Sequence, residues 1–257
     1  MILCQRYFEL IVADRKNLAL LLLQAPVIGL LLVLVSKSDG LTSGRIEAKK
    51  LIFMLATTGV WFGVINAARE ICKEANVLRR ERLAGLHAGP YLLSKLIGLA
   101  VLVLVQSALL LGVVALRTTL PASGVLLPPL LELYITIVLA GIAGIGLGLC
   151  VSAIASTPDK ATSLIPIVLV PQVLFAGVMF ALTGGPALLS HLVSARAAVD
   201  ALSATIDTNQ LASPMNLMPP EPHYAHTSAV VLRAWGILVA QTVAFTGAAW
   251  VSLHRRR

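Results

Sequence analysis

Six stretches of the chain contain no Asp, Glu, Lys or Arg: Leu18–Val35, Leu51–Ala68, Leu96–Leu116, Leu133–Ala155, Ala161–Leu182 and Ala234–Leu253. They run to 18, 18, 21, 23, 22 and 20 residues. A helix rising about 1.5 Å per residue needs about 20 residues to cross a hydrocarbon layer of about 30 Å. Runs such as Leu18–Leu23 are apolar on every side, without the two-residue alternation of a membrane barrel strand. The pattern therefore predicts an all-α integral membrane protein with six transmembrane helices.

The segments between the spans have patterns of their own. Residues 1–17 mix Ile2, Leu3, Phe8, Leu10, Ile11 and Val12 with Arg6, Glu9, Asp14, Arg15 and Lys16, which predicts an amphipathic helix lying at the membrane interface. In Arg69–Lys95, Ile71, Ala75 and Leu78 recur at helical spacing, so the second span is expected to continue outward as a helix. A short helix around Arg79–Leu86 follows, broken by Gly85, Gly89 and Pro90. Between spans five and six, Pro186–Leu202 is apolar enough for one or two short helices against the membrane, and Ser213–His226, with four prolines, reads as an exposed loop. The organisation is a single domain over 1–257: interfacial helix 1–17, five spans over 18–182, outer segment 183–233, last span 234–253 and basic tail 254–257.

Composition agrees with the pattern, and charge orients it. With 58% hydrophobic and 12% charged residues and a mean hydropathy of +0.89, the chain lies far from the roughly one-quarter charged composition of soluble domains. An even number of spans puts both termini on one side. That side would carry 13 Lys and Arg: Arg6, Arg15, Lys16, Arg69, Lys73, Arg79, Arg80, Arg82, Lys95, Lys160 and Arg255 to Arg257. Lys37, Arg45, Lys49, Lys50, Arg117, Arg196 and Arg233 make 7 on the other. Positive residues concentrate inside, so both termini are expected in the cytoplasm of a cell-membrane protein. The net charge of +8 then reflects topology and anionic lipid headgroups, not a nucleic-acid partner. Cys4, Cys72 and Cys150 lie where no oxidising compartment would reach them, so no disulfide is expected.

Candidate chemistry is sparse. His223 and His226 lack a third ligand beside Pro222, and read as loop residues. Gly141–Gly148 lies in mid-span without the Lys-Ser/Thr of a phosphate loop, and Ala140, Gly144 and Gly148 at four-residue spacing point to close helix packing. Gln24, Asn66, Gln106 and Gln172 are costly in lipid and should face other helices or a cavity. Glu132 reads as an interfacial carboxylate at the end of a span, and Pro166 and Pro171 as a kink in the fifth. No nucleotide-binding motif, metal site or catalytic set is evident, so the chain is not expected to be an enzyme.

Glu70, Arg80-Glu81-Arg82-Leu83-Ala84-Gly85 and Pro90-Tyr91-Leu92-Leu93-Ser94-Lys95 resemble the ABCG-type ABC exporter permease. There an E-R-x-x-G segment between spans two and three, followed by Y-x-x-[SG]-K, forms the region that contacts the ATPase. Arg6 with Asp14-Arg15 before Gln24-Ala25-Pro26 resembles that family's connecting helix and first span, and Ser194-Ala195-Arg196 with Ala201-Leu202 its short outer helix. The resemblance implies ATPase coupling through Glu70, Arg79, Arg80, Glu81, Arg82 and Gly85. It implies that spans two and five line a dimer axis, with Trp61, Phe62, Asn66, Gln172, Phe175 and Met179 as cavity residues for lipid-like or amphipathic cargo. It also implies a second permease copy, membrane lipids as surroundings, and ATP with Mg on a partner ATPase, either a separate subunit or an upstream part of a longer product. A non-ABC channel or transporter and a structural membrane subunit stay open as alternatives.

Overall fold

The computed structural model describes residues 2–83, 85–180, 184–211 and 220–255, so Leu182, Ser213, Pro214, Pro219, Arg256 and Arg257 lie outside the described residues. Ten α-helices order these parts of the chain: α1 Ile2–Ala13, α2 Arg15–Val35, α3 Arg45–Ala67, α4 Ala75–Leu83, α5 Ala88–Ala115, α6 Pro129–Ile154, α7 Pro158–Leu174, α8 Gly185–Ser190, α9 Ser194–Ile206 and α10 Ser228–Arg255. Local chemistry sets several boundaries. The Asp14 carboxylate accepts the Asn17 amide at 3.2 Å and separates α1 from α2. Pro128-Pro129 opens α6, while Thr157 caps α7 with Pro158 in its first turn.

Among the described residues, five helical stretches are long and apolar enough to cross a membrane, those built on α2, α3, α5, α6 and α10. The fifth expected span differs. Ala161–Leu182 corresponds to α7, which ends at Leu174 after 17 residues. Pro166 and Pro171 each remove a backbone donor, and Gly177 then turns the chain at φ +79°. The side chain of Arg196 fills the space where a Cβ on Gly177 would sit, leaving only 1.6 Å to its Nη1. The second span also departs from expectation. It stops at Ala67, turns, passes through a 3-10 turn at Cys72–Glu74 and restarts as α4. Ser152 on α6 fastens this turn, its Oγ accepting the amides of Ile71 and Cys72 at 2.9 and 3.1 Å.

The core lies where α3 and α6 run against each other. Here glycine lets backbone meet backbone: a Cβ on Gly63 would lie 1.9 Å from the Gly141 carbonyl oxygen, one on Gly144 2.3 Å from that of Val60, and one on Gly148 2.7 Å from that of Val64. The four-residue spacing of Gly144 and Gly148 thus serves close helix packing, as the sequence pattern predicted. Around this pair, α2 packs on α5 and α10 on α6. Leu20, Leu23, Leu31 and Leu34 of α2 face outward.

Of the two short outer helices, α8 is largely exposed, with Leu188 and Leu189 on the surface, and α9 is internal. Twelve of the thirteen residues of α9 are buried, against α3, α6, α7 and α10. Glu132 is fully buried within the protein. Its Oε2 accepts the amides of Val125, Leu126 and Leu127 at 3.0, 3.0 and 3.3 Å, and its Oε1 accepts the Thr205 hydroxyl of α9 at 2.7 Å. A carboxylate is affordable there because four donors replace its water. Glu132→Gln puts an amide NH₂ where donors already point. It should cost about 1–2 kcal/mol and lower the unfolding midpoint in detergent by roughly 2–8 °C, whereas an unchanged midpoint would mean that this loop is held by other contacts.

Candidate functional site

The residues of Arg69–Lys95 converge with α1 on one charged knot at the end of the bundle. The turn after α3 presents Glu70, which is 9% exposed. It accepts the Tyr7 hydroxyl of α1 at 2.7 Å, pairs with Lys73, and lies 3.3 Å from Lys95 Nζ. Lys95, about two turns into α5 and only 2% exposed, also meets Glu74 Oε1 at 2.8 Å and sits 3.9 Å from the centre of the Tyr7 ring. The Tyr91 hydroxyl donates to Glu74 at 3.2 Å. Burial first, and then the Glu70 carboxylate, push the Tyr7 hydroxyl well above its ordinary value, so it remains a donor.

A buried ammonium is tolerable only with such partners: two carboxylates and an aromatic face. Ion pairs of this kind contribute little net stability over an apolar core, but removing one member strands the other. Their use here is geometric. They tie the N-terminal helix, the turn after α3 and the start of α5 into one body. Two peripheral links extend it. Arg6 of α1 pairs with Glu81 of α4 at 2.6 Å, and Arg82 Nη1 donates to the Leu253 carbonyl of α10 at 2.9 Å. Gly85, at φ +97°, ends α4 in a conformation that L side chains rarely adopt. Arg79 and Arg80 point outward from α4. Of the expected coupling residues, Glu70 is therefore the buried centre, Glu81 and Arg82 are partly buried links, and Arg79, Arg80 and Gly85 are exposed.

Sequence reasoning left Tyr7 and Glu74 outside the site, and gave no role of their own to two residues quoted within the resembling motif, Tyr91 and Lys95. The signal for the last two was the Y-x-x-S-K spacing, which puts Tyr91 and Lys95 on one helical face.

The six expected cavity residues are not gathered in one space within the chain. Trp61 and Met179 are exposed, at 38% and 60%, and Phe175 is half-buried at the end of α7. Phe62 is buried in the core. Asn66 donates to Gln106 Oε1 at 2.8 Å, and Gln106 passes the chain of bonds on to the Leu21 carbonyl at 2.7 Å. Gln172 accepts the Ala195 amide, near the start of α9, at 3.0 Å.

At the opposite end, Arg45 of α3, 2% exposed, donates to Asn209 Oδ1 at 3.1 Å and to Glu221 Oε1 at 3.3 Å, and Lys49 pairs with the same oxygen. His223 lies 3.1 Å from Glu221 Oε2, and Tyr224 is fully buried under Lys49, so the described part of the expected exposed loop, residues 220–226, is packed through Glu221 and Tyr224. No cluster of three or more metal-ligating side chains exists among the described residues. Partial burial raises the Glu221 carboxyl, but hydrogen bonds from His223 and Lys49 and the Lys49 charge outweigh it and bring it to about 2. A carboxyl depressed below its unfolded value of about 4.3 adds stability above that pH and loses it as pH falls towards 2. The unfolding midpoint should accordingly drop between pH of about 4.5 and 2.5, and Glu221→Gln should flatten that limb. An equally steep limb in the variant would assign the acid sensitivity to other carboxyls.

Comparison with known proteins bears on this arrangement. The family described as "ABC-2 type transporter" matches residues 1–206. An ABC transporter ATP-binding/permease protein of Mycobacterium tuberculosis is 29% identical over 255 residues, covering 95% of this chain and 29% of the relative. The chain thus spans less than a third of that relative's length.

Proposed function

Since the chain belongs to the ABC-2 type transporter family, a family of multi-pass membrane domains, we propose that it is the permease part of an ATP-driven exporter in the cell membrane. In this reading six segments cross the bilayer, α7 with the turn after it forming the fifth. Both termini and the charged knot face the cytoplasm, in keeping with the excess of Lys and Arg there. ATP and Mg are bound by an ATPase on a separate subunit or on another part of the same product.

The observation that carries the proposal is the knot itself. Glu70, Lys95 and Tyr7 make the turn after α3, α1 and α5 a single rigid body, and Arg79 and Arg80 stand exposed on α4 beside it. A partner that docks on α4 and moves would move α3 with it, and α3 runs the depth of the core. ATP binding shifts the balance between inward- and outward-facing states through that lever. The pathway lies between two copies about a two-fold axis. Met54, Trp61 and Ile65 form a stripe of α3 that the chain itself does not cover. With Phe175 and Met179 they offer a cation-free wall suited to lipid-like or amphipathic cargo, while Phe62, Asn66 and Gln172 support that wall from behind.

Co-reconstitution with the ATPase tests this. Arg79→Glu with Arg80→Glu should reduce transport-coupled ATP hydrolysis by about tenfold or more, the scale of a few charge-assisted contacts, with the insertion and unfolding midpoint unchanged. Full coupled hydrolysis in that variant would remove α4 from the ATPase interface.

A further inference from the structure

Beside the knot lies a cavity of about 320 Å³ whose wall takes in Tyr7, Glu70, Lys73 and Glu74 of the knot and, from the α3 stripe, Ile65. Its floor is apolar, built from Leu18 and Leu21 of α2, Leu99 and Leu102 of α5 and Ile65 of α3. Its rim is charged, with Asp14 and Arg69 opposite one another in sign. Two features mark it as unfinished. The Arg69 side chain is exposed and makes no ion pair among the described residues. Asn66, 7% exposed and lining the cavity, buries an amide oxygen that no donor among the described residues reaches. Its amide nitrogen is already committed to Gln106. An orphaned acceptor of this kind costs about 1–3 kcal/mol unless a ligand or solvent donor meets it.

The position fits an amphiphile standing in a bilayer. The floor continues onto α2, whose outward face is leucine-rich, and the rim sits at the interface where α1 lies along the bundle end. We infer that this cavity holds the headgroup end of one membrane glycerophospholipid whose headgroup carries a hydrogen-bond donor, as ethanolamine or glycerol does. The phosphodiester pairs with Arg69, the headgroup donor meets the Asn66 amide oxygen, and the first methylenes of a chain lie on Leu18, Leu21 and Leu102. The charge-assisted phosphate contact supplies orientation, and the leucines supply the apolar burial. A volume of this size suits a headgroup and the start of a chain, not a whole lipid. The lipid is a bound ligand of the single chain and does not depend on the cargo path proposed above.

Native mass spectrometry of the delipidated full-length protein, titrated with phosphatidylethanolamine, phosphatidylglycerol, phosphatidylcholine or inorganic phosphate, tests the inference. One tight adduct per chain is expected with the ethanolamine or glycerol lipid, and weaker binding with the choline lipid, which has no donor. Inorganic phosphate should neither bind tightly nor compete. Arg69→Ala should weaken the adduct by about tenfold, and Leu18→Trp, which fills the floor, should abolish it. Equal binding of the choline lipid, displacement by inorganic phosphate, or an undiminished adduct in Arg69→Ala would each overturn the inference. The Arg69 arm decides even if Leu18→Trp does not fold, because Arg69 is exposed and its removal leaves the packing intact.

Discussion

Gly63→Val will prevent the protein from accumulating in folded form. A Cβ at this position would stand 1.9 Å from the Gly141 carbonyl oxygen and 2.6 Å from the Ile145 amide nitrogen, and neither is a side chain that can swing away. To admit it, α3 and α6 must separate along the length of the bundle, giving up contacts that in a lipid solvent are the main source of helix association. Overpacking of an ordinary core costs about 1–3 kcal/mol because neighbours adjust. Here they are backbone, so the cost should lie at or above the top of that range, with a midpoint lowered by roughly 6–12 °C or the monodisperse peak lost. Gly236→Ala is the control. Nothing lies within 4 Å of its added Cβ, and in a helix the change should be neutral or stabilising by up to about 1 kcal/mol. Size-exclusion profiles and unfolding midpoints in detergent separate the two. A Gly63→Val protein that elutes and melts like the parent would mean that α3 and α6 do not meet as described.

Glu70→Ala should do damage of a different kind, in stability and in coupling at once. Lys95 would keep Glu74 but lose its second carboxylate, and the Tyr7 hydroxyl would lose its acceptor in a buried setting. Breaking a buried pair costs about 3–5 kcal/mol when one charge is left alone. With Glu74 still in place the expected loss is about half of that. Lys95→Met should be costly for the converse reason, since Glu70 and Glu74 would then face each other across an apolar side chain. The double variant Glu70→Ala with Lys95→Met should lose less than the sum of the single losses, by about 1 kcal/mol or more, because the Glu70–Lys95 pair is removed as a unit and Glu74, losing Lys95, no longer faces a second carboxylate. Coupled ATP hydrolysis should fall in all three, as the turn after α3 is no longer tied to α1 and α5. Additive energies together with intact coupling would show that the knot is a packing feature and not a lever.

The class of the protein and most of its helices were legible in the chain because lipid solvation is a local requirement. A segment either satisfies its backbone internally and presents apolar side chains over about 20 residues, or it does not cross. The same locality made the close packing at Gly144 and Gly148 readable from spacing alone. It also explains why the helix is shorter than the apolar run at Ala161–Leu182, where hydropathy is continuous while α7 carries Pro166 and Pro171 and ends at Leu174, before the turn at Gly177. Charge-free length measures solubility in lipid and not backbone continuity.

What the pattern left open was who meets whom. The burial of Glu132 was not legible because its four donors, three of them in the loop before it and one on α9, are collected only when the chain folds. Asn66 and Gln172 read as polar groups facing a helix or a cavity, and which helix each one meets, α5 for Asn66 and the start of α9 for Gln172, is set only in the fold. Lys95 looked like a loop cation, but Glu70, Glu74 and Tyr7 arrive from two other segments to make its burial affordable. Hydrophobic period depends on a residue's near neighbours in sequence. The fate of a buried polar group depends on partners tens of residues away, and only the tertiary arrangement chooses them.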